Sequence, residues 1–382
     1  MDSGDIMLKN EKRICFLAPT AYPLLKNKKE NIKNVIGPDI DQITLASTLS
    51  KKGYKVTIIT YNEGGPLEEF IEDIKVVKIY SPASKINLLS KIKHLWNAFK
   101  KSDSDIYFHY GDSAGILSIF TYLSGKRSIY KIASDVLLDR NLITGEIKEF
   151  KSSKFNSRVI GNWIDIKLSS AICLQNQYQS KMLEKGYNKN GKIIKNHIEI
   201  KDVDLDKKSK IPIILWVGSM AEVKQPWLVL KLAKMMPWVK FQVIGGYQGD
   251  PTLYNYMKKQ SEELKNFEFL GVVPFEEIDY YFNKSWILVN TSMFEGFPNS
   301  FLQAWMNYMP VVSINANPDE VITDYKLGFC SGTLKQLKED LSVLIHDETL
   351  IKEIGINGRK YVENNHDIKN VLPKYVQLFD FI

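Results

Sequence analysis

A carboxylate and a polar turn stand side by side late in the chain, and together they could act on a phosphorylated ligand. The turn from Glu295 to Ser300 reads EGFPNS, follows a short apolar stretch, and precedes apolar residues at helical spacing. Asn299 or Ser300 is placed to cap this predicted helix. Backbone N–H groups at a helix start attract anions, so the turn predicts a phosphate cradle with Glu295 at its edge. The alternative is an ordinary capped strand-to-helix loop.

Two more loops of the second half carry glycines and a lysine directly after predicted strands. Gly218, Ser219 and Lys224 follow the apolar strand predicted at 211–217, and Gly245 follows the strand predicted at 239–244. Strands alternate with helices here, which predicts a parallel sheet whose loops meet at the carboxyl edge of the strands. Lys224 could place a point charge against a diphosphate, whereas the alternative is an exposed lysine at a helix start. The convergence of three such loops favours a ligand site.

Three residues of the first half lie at or after the ends of predicted strands. The order of strand, loop, helix and strand over residues 13–60 predicts a βαβ unit with Gly37 in its loop. His109 ends the strand predicted at 106–109, and Asp135 follows the strand predicted at 128–132. We expect all three at one edge of the sheet. The alternatives are a hydrogen-bonded, half-buried histidine for His109 and a loop or helix cap for Asp135. The Gly37 loop lacks a GxGxxG sequence, which argues against a classical dinucleotide site.

Composition limits the class of protein. The chain has 382 residues with 44% hydrophobic and 12% aromatic content, which predicts a soluble protein of two globular domains. The sequence has no run of about 18 apolar residues, and its polar start is unlike a signal peptide. Cys15, Cys173 and Cys330 are far apart. We therefore expect reduced core cysteines of a cytosolic protein, and neither a disulfide framework nor a metal site.

Charge is distributed unevenly along the chain. Residues 1–200 hold 31 Lys and Arg against 21 Asp and Glu, whereas residues 201–382 hold 20 against 23. The basic first half predicts an anionic membrane surface or an anionic substrate as its partner, and no motif points to nucleic acid. An apolar stripe at helical spacing from Ile86 to Phe99, flanked by lysines, could lie on such a membrane or pack on the sheet. The alternative for the charge is a set of scattered, solvated lysines.

A polar segment without an apolar period, residues 199–210, divides the chain. We predict an N-terminal Rossmann-like domain at 1–198, a linker at 199–210, a C-terminal Rossmann-like domain at 211–365 and a C-terminal helix at 366–382.

Two doubly wound α/β halves, a linker and a helical tail resemble the GT-B fold, and several motifs resemble those of family 4 retaining glycosyltransferases. The motifs are FEGFPNS at 294–300 with Gln303, VGS at 217–219 with VKQP at 223–226, and FLGVVP at 269–274. The resemblance implies two domains facing a central cleft, with the C-terminal helix packing back on the N-terminal domain.

The resemblance also implies roles for the residues already named. The donor would be a nucleotide-diphosphate sugar, specifically a UDP-sugar, and no metal ion or other cofactor is expected. Glu295 would contact the transferred sugar, and Lys224 would neutralise the leaving diphosphate. His109 and Asp135 would lie on the acceptor side, with Asp135 orienting the acceptor or a donor hydroxyl. The residues expected to bind the donor are Gly37, Gly218, Ser219, Lys224, Gly245, Glu295, Gly296, Phe297, Pro298, Asn299, Ser300 and Gln303.

Three positions depart from the family pattern. Gln303 stands where the family has its second acid, and it can hydrogen-bond a hydroxyl without carrying charge. Ser219 stands where an arginine is usual, and Ala221 nearby offers no cation. Pro38 follows Gly37 where a twin glycine is usual.

The sequence therefore predicts a retaining glycosyltransferase that moves a sugar from a nucleotide-diphosphate sugar to a glycan or lipid-linked acceptor. We expect it to act in cell-surface polysaccharide synthesis, in the cytoplasm or at the inner face of the membrane. The missing arginine keeps a second hypothesis open, a non-catalytic nucleotide-sugar-binding protein with a degenerate transferase site. A third hypothesis is a GT-B enzyme of another class, such as a nucleotide-sugar 2-epimerase, and the Glu295 motif argues against it.

Overall fold

The computed structural model describes residues 12–26, 37–111, 113–138, 153–247 and 249–382. These residues form two compact α/β units. The first unit contains the described residues up to Ile194 together with Leu372–Ile382, and the second contains Lys195–Val371. Within the described ranges the chain therefore passes from one unit to the other at two places.

The first unit is built on an eight-stranded sheet with the order β3-β4-β2-β1-β5-β6-β7-β8. All its neighbouring strands are parallel except β3 and β4, which form an antiparallel pair. The strands are β1 (Arg13–Leu17), β2 (Lys55–Thr60), β3 (Glu68–Ile71), β4 (Ile74–Lys78), β5 (Ile106–Tyr110), β6 (Arg127–Lys131), β7 (Ala171–Leu174) and β8 (Lys192–Ile193). The central strands are buried along nearly their whole length because a parallel sheet is covered by helices on both faces.

The helices that join these strands follow the expected alternation. They are α1 (Tyr22–Leu25), α2 (Gly37–Lys51), α3 (Leu88–Ser102), α4 (Ile116–Ser124), α5 (Ser153–Leu168) and α6 (Gln177–Tyr187). The last helix of the chain, α14 (Ile368–Phe381), reaches the first unit with the residues that follow Val371. There Tyr375 and Phe379 are buried, and the Lys131 ammonium donates a hydrogen bond to the Tyr375 hydroxyl at 3.0 Å.

The second unit has a six-stranded parallel sheet with the order β11-β10-β9-β12-β13-β14. Its strands are β9 (Ile213–Val217), β10 (Lys240–Ile244), β11 (Phe267–Gly271), β12 (Ile287–Asn290), β13 (Val311–Ser313) and β14 (Gly328–Cys330). Its helices are α7 (Trp227–Met235), α8 (Thr252–Ser261), α9 (Phe275–Lys284), α10 (Asn299–Met306), α11 (Val321–Asp324), α12 (Leu334–His346) and α13 (Glu348–His366). Two apolar clusters, one on each face of this sheet, form its core.

The fold bears on two expectations from the sequence, the cysteines and the apolar stripe of α3. Cys15 and Cys173 are buried, but Cys330 is exposed, because it ends the short edge strand β14, so its assignment to the core was wrong. The apolar stripe of α3 packs into the core at its C-terminal end, where Phe99 is buried and Trp96 contacts Phe120 of α4 edge-on at 4.9 Å, whereas Leu88 and Leu89 are exposed. This confirms the packing alternative for Phe99 and Trp96. Within the described ranges no helix combines the length and apolar character needed to cross a membrane.

Candidate functional site

Strands β9 and β12 are neighbours in the second sheet although β10 and β11 lie between them in the chain. The chain first moves outward through β10 and β11, then restarts at β12 on the other side of β9. The loops that follow β9 and β12 therefore diverge at a topological switch point, where open α/β sheets bind their ligands. Lys224 belongs to the first of these loops and Glu295 to the second.

Lys224 and Glu295 form an ion pair across these loops, with Nζ 2.5 Å from Oε1. The Ser292 hydroxyl donates a second hydrogen bond to the same carboxylate oxygen at 2.6 Å. The Lys224 side chain is 25% exposed and that of Glu295 is 11% exposed, so the pair is shielded from bulk water yet reaches the surface. Partial burial makes the interaction stronger than that of an ion pair on the open surface. The structure thus joins the two charged residues that the sequence predicted for this unit.

Further hydrogen bonds hold the two loops in register. The backbone N–H of Met293 donates to the carbonyl of Val223 at 2.8 Å. The Thr291 hydroxyl donates to the carbonyl of Lys224 at 2.7 Å and accepts from the indole N–H of Trp216 at 2.9 Å. Because Trp216 and Thr291 are buried, the position of the Lys224 backbone beside Glu295 is fixed from the core.

Gly245 allows the loops after β9 and β10 to approach each other closely. A Cβ at Gly245 would lie only 1.7 Å from the carbonyl oxygen of Gly218. Backbone hydrogen bonds join the two loops on either side of this contact. Gly218 N donates to Ile244 O at 3.1 Å, and Met220 N donates to Gly246 O at 2.7 Å. Glycine is therefore required at position 245 by backbone contact, and its predicted part in donor binding stays a prediction.

The turn formed by residues 295–300 leads directly into α10. The helix starts at Asn299 with Pro298 at its N-cap, and no side chain caps it. The prediction that Asn299 or Ser300 caps this helix was therefore wrong, since both lie in its first turn. Proline suits the position before the helix because it offers no N–H group there. Gly296, Phe297 and Pro298 are buried, so the turn is held against the core.

Two other predicted donor-binding residues of this unit, Gln303 and Ser219, lie in different surroundings. Gln303 is half-buried on α10 one turn after Asn299, so these two residues lie on the same side of the helix. Ser219 is exposed, and its carbonyl accepts a hydrogen bond from Ala221 N at 2.8 Å. Ser292 was not predicted from the sequence. The only indication there is a small hydroxyl side chain three residues before Glu295.

His109 lies at the switch point of the first unit, at the carboxyl end of β5 next to β1. The side chain is 2% exposed, and its ring stacks on Tyr130 with the ring centres 4.7 Å apart. Nδ1 lies 3.2 Å from the carbonyl oxygen of Gly111, and Nε2 lies 3.8 Å from Oδ1 of the buried Asp165. The ring is thus held by its surroundings, and its acceptor-side role stays a prediction.

Asp135 begins a short 3-10 helix after β6, the strand next to β5. Its Oδ1 accepts hydrogen bonds from Asn176 Nδ2 at 3.2 Å and from Gln179 Nε2 at 3.0 Å. Asn176 is also the N-cap of α6, where its side chain accepts from Gln179 N. The carboxylate therefore fastens the start of α6 to the end of β6. Its part in catalysis stays a prediction.

Gly37 is the first residue of α2, and residues 27–36, which complete its loop, lie outside the described residues. Two residues later Asp39 is buried and accepts hydrogen bonds on Oδ2 from both the N–H and the hydroxyl of Thr20, each at 2.7 Å. Burial raises the pKa of Asp39 to about 6, although its hydrogen-bond donors favour the ionised form. This carboxyl fixes the start of α2, which carries Gly37, to the chain that follows β1.

In the described part of the chain, no cluster of three or more histidine, cysteine, aspartate or glutamate side chains has an arrangement that could hold a metal ion. Lys224 contributes a positive charge at the second unit's switch point.

Comparison with known families agrees with this geometry. A model described as "Glycosyl transferases group 1" matches residues 197–361, which include both loops of the ion pair. A second model, "Glycosyl transferase 4-like", matches residues 13–155. The chain belongs to the group 1 glycosyltransferases. The family predicted from the motifs is thereby confirmed.

Solved structures show that this glycosyltransferase has the GT-B fold predicted from its sequence. Sucrose-phosphate synthase from Thermosynechococcus elongatus superimposes with a TM-score of 0.76 at 14% identity, over 97% of this chain and 98% of that one. The Anabaena protein HepE, solved with UDP and glucose, gives 0.74 at 14% identity, over 97% of this chain and 100% of that one.

Curated relatives of this glycosyltransferase match over segments of different length: an uncharacterized glycosyltransferase of Methanocaldococcus jannaschii, MJ1178, is 25% identical over 285 residues, which are 71% of this chain and 76% of the relative, whereas three others match over short segments. A capsular polysaccharide biosynthesis glycosyltransferase, CapM of Staphylococcus aureus, is 34% identical over 92 residues, which are 23% of this chain and 24% of the relative. Two other relatives are likewise matched over only 22% and 20% of their own length.

Proposed function

We propose that this glycosyltransferase is a retaining enzyme that moves a sugar from a UDP-sugar to a glycan or lipid-linked acceptor. Its place would be the cytoplasm or the inner face of the membrane, in the synthesis of cell-surface polysaccharide. The observation that carries the proposal is the pairing of Lys224 with Glu295 at the switch point of the second unit. A sugar diphosphate has a diphosphate at one end and a sugar at the other. A fixed cation suits the diphosphate, and a fixed carboxylate suits the sugar.

The proposed chemistry relies on position and charge. As the bond between the sugar and the diphosphate breaks, negative charge develops on the leaving diphosphate, and Lys224 would stabilise it. Glu295 would hold the transferred sugar, while the backbone at the start of α10 would face the phosphates. Preorganised groups of this kind act without reorganising during the reaction, which is why fixed charges accelerate transfer. No metal ion is needed in this scheme, since Lys224 supplies the positive charge.

The finer parts of the proposal draw on the relatives. HepE was solved with UDP and glucose, which supports a UDP-sugar as the donor. CapM is described as acting in capsular polysaccharide biosynthesis, which supports a role at the cell surface. The excess of basic residues before position 200 suits an acceptor that carries phosphate or lies at an anionic membrane.

A screen of nucleotide sugars by thermal unfolding tests the donor. A ligand that binds only the folded protein raises its unfolding temperature. We expect a UDP-sugar to raise it more than the matching GDP- and ADP-sugars do. Proton NMR of the sugar released early in donor hydrolysis then tests the stereochemistry: a retaining enzyme releases the anomer that the donor carried. An unfolding temperature that no nucleotide sugar shifts would contradict the proposal.

A non-catalytic nucleotide-sugar-binding protein is the second candidate function. It is favoured by Ser219, which is exposed in the loop after β9, where Lys224 is the only basic residue between positions 218 and 225. Diphosphate stabilisation by one cation is weaker than by two, and each fixed donor to a developing charge is worth about 3 kcal/mol. Nucleotide-sugar binding without any release of UDP, with or without acceptor, would select this candidate.

A further inference from the structure

The two segments at which the chain passes between its units run side by side within the second unit. Ile198 N donates to the carbonyl of His366 at 2.8 Å, and Ile368 N donates to the carbonyl of Ile198 at 3.0 Å. These bonds make an isolated parallel bridge between Ile198 and Asp367. The outgoing and returning segments are therefore fixed to each other by their backbones.

Asn196, on the outgoing segment, contacts the 295–300 turn directly. Its side chain is 1% exposed, and Nδ2 donates to the carbonyl of Phe297 at 3.0 Å and to Oδ1 of Asn299 at 3.1 Å. One amide group thus joins the last part of the turn to the first residue of α10. The Asn299 oxygen, which the sequence placed as a helix cap, is used in this contact instead.

His366, on the returning segment, fixes Asn196 from the other side. Its Nδ1 lies 2.7 Å from the carbonyl oxygen of Asn196, and because a carbonyl only accepts hydrogen bonds, Nδ1 carries a proton. The buried imidazole also packs on the ring of Phe297, with the ring centres 4.7 Å apart. The turn is therefore held by a hydrogen bond from one segment and a ring contact from the other.

We propose that Asn196 is a positioning residue for the donor site, acting through the 295–300 turn. The inference rests on the proposed function, since it takes this turn as the part that faces the donor phosphates. A displacement of about 1 Å in a supporting loop is enough to weaken binding and transfer strongly. Asn196 prevents such a displacement by fixing Phe297 and Asn299 relative to the backbone of the connecting segments.

Substitutions at Asn196 test the inference by the order of their effects. UDP affinity is measured by calorimetry on the full-length chain, together with the unfolding temperature. We expect about tenfold weaker binding for Asn196→Ala, which removes two hydrogen bonds, and a smaller loss for Asn196→Ser, which keeps one donor. Asn196→Asp should bind UDP most weakly, because an ionised carboxylate cannot donate and would face two oxygen atoms. If Asn196 acted only by filling space, the isosteric Asp variant would instead be the mildest.

Asn365→Ala is the matched control. Asn365 accepts a hydrogen bond from Lys195 Nζ at 2.9 Å, so it joins the same two segments, but no hydrogen bond links its side chain to the 295–300 turn. We expect this variant to bind UDP as the wild type does. Equal UDP affinity in the wild type and Asn196→Ala, or an equal loss in Asn365→Ala, would overturn the inference and leave the proposed function standing. A wild-type protein that binds no nucleotide would overturn both.

Discussion

Replacing Gly245 by alanine is expected to force apart the two loops that form the floor of the proposed donor site. The new Cβ would lie 1.7 Å from the carbonyl oxygen of Gly218, whereas carbon atoms of this kind do not approach closer than 3.0 Å. The loops must therefore separate by more than 1 Å. Since the obstacle is backbone, a side-chain rotation cannot relieve the clash.

The magnitude follows from what this separation breaks. The hydrogen bonds from Gly218 N to Ile244 O and from Met220 N to Gly246 O straddle the clash, and each contributes about 1 kcal/mol. Strain from the inserted methyl group adds about 1–3 kcal/mol. We expect the free energy of unfolding to fall by about 3–5 kcal/mol in urea titrations at 25 °C, with UDP binding lost in calorimetry. A loss below about 0.5 kcal/mol, the range of neutral surface substitutions, would refute this reasoning.

Gly186→Ala is the matched control for this prediction. Gly186 lies in α6, its φ is negative, and the nearest atom to an added Cβ is the carbonyl oxygen of Leu138 at an unstrained 3.8 Å. Alanine favours helix more than glycine does, so this variant should be more stable than the wild type by about 0.4–1 kcal/mol. The contrast between the two substitutions isolates backbone contact from the general cost of removing a glycine.

Two further predictions concern buried groups of the first unit. Burial raises the pKa of Asp39 to about 6, above its usual value near 3.8, so its contribution to stability is present below pH 4 and is lost as the pH rises through 6. Urea titrations from pH 4.5 to 7.5 should show the wild type losing about 2 kcal/mol relative to Asp39→Asn, and parallel pH profiles would contradict this. Tyr375→Phe removes the acceptor of the buried Lys131 ammonium and should lower the free energy of unfolding by about 2–3 kcal/mol. Tyr122→Phe, on a tyrosine that is 67% exposed, should change it by less than about 0.5 kcal/mol, and equal losses in both variants would argue against the buried pair.

The sequence predicted the elements that carry a strong apolar signal. Strands β1 and β2 bound the βαβ unit predicted over residues 13–60, and helix α14 lies within the helix predicted at 366–382, because these segments are strongly apolar. Strand β3 was missed because it lies at the edge of the sheet and reads EEFI, with two exposed residues and two half-buried ones. Helix α8 was missed because only Met257 is buried in it, so its periodicity is weak.

The site was predictable where the order of strands places it and unpredictable where tertiary contacts make it. Lys224 and Glu295 follow strands that the alternation puts in one parallel sheet, so their loops had to reach the same edge. Ser292 and Asn196 are small polar residues whose importance depends on their hydrogen-bond partners. Ser292 donates to Glu295, 3 positions later, and Asn196 donates to Phe297, about 100 positions later. No local pattern marks such residues, since their partners are set only when the core packs.

UDP release measures most directly whether Lys224 and Glu295 form a transferase site for a nucleotide sugar. With the UDP-sugar that most raises the unfolding temperature, we expect steady UDP release by the wild type. We also expect a rate at least about 100-fold lower for Glu295→Ala, with a nucleotide affinity that changes by less than about tenfold. Equal rates of UDP release in the two proteins, or no release by a wild type that binds the donor, would contradict the proposed transferase site.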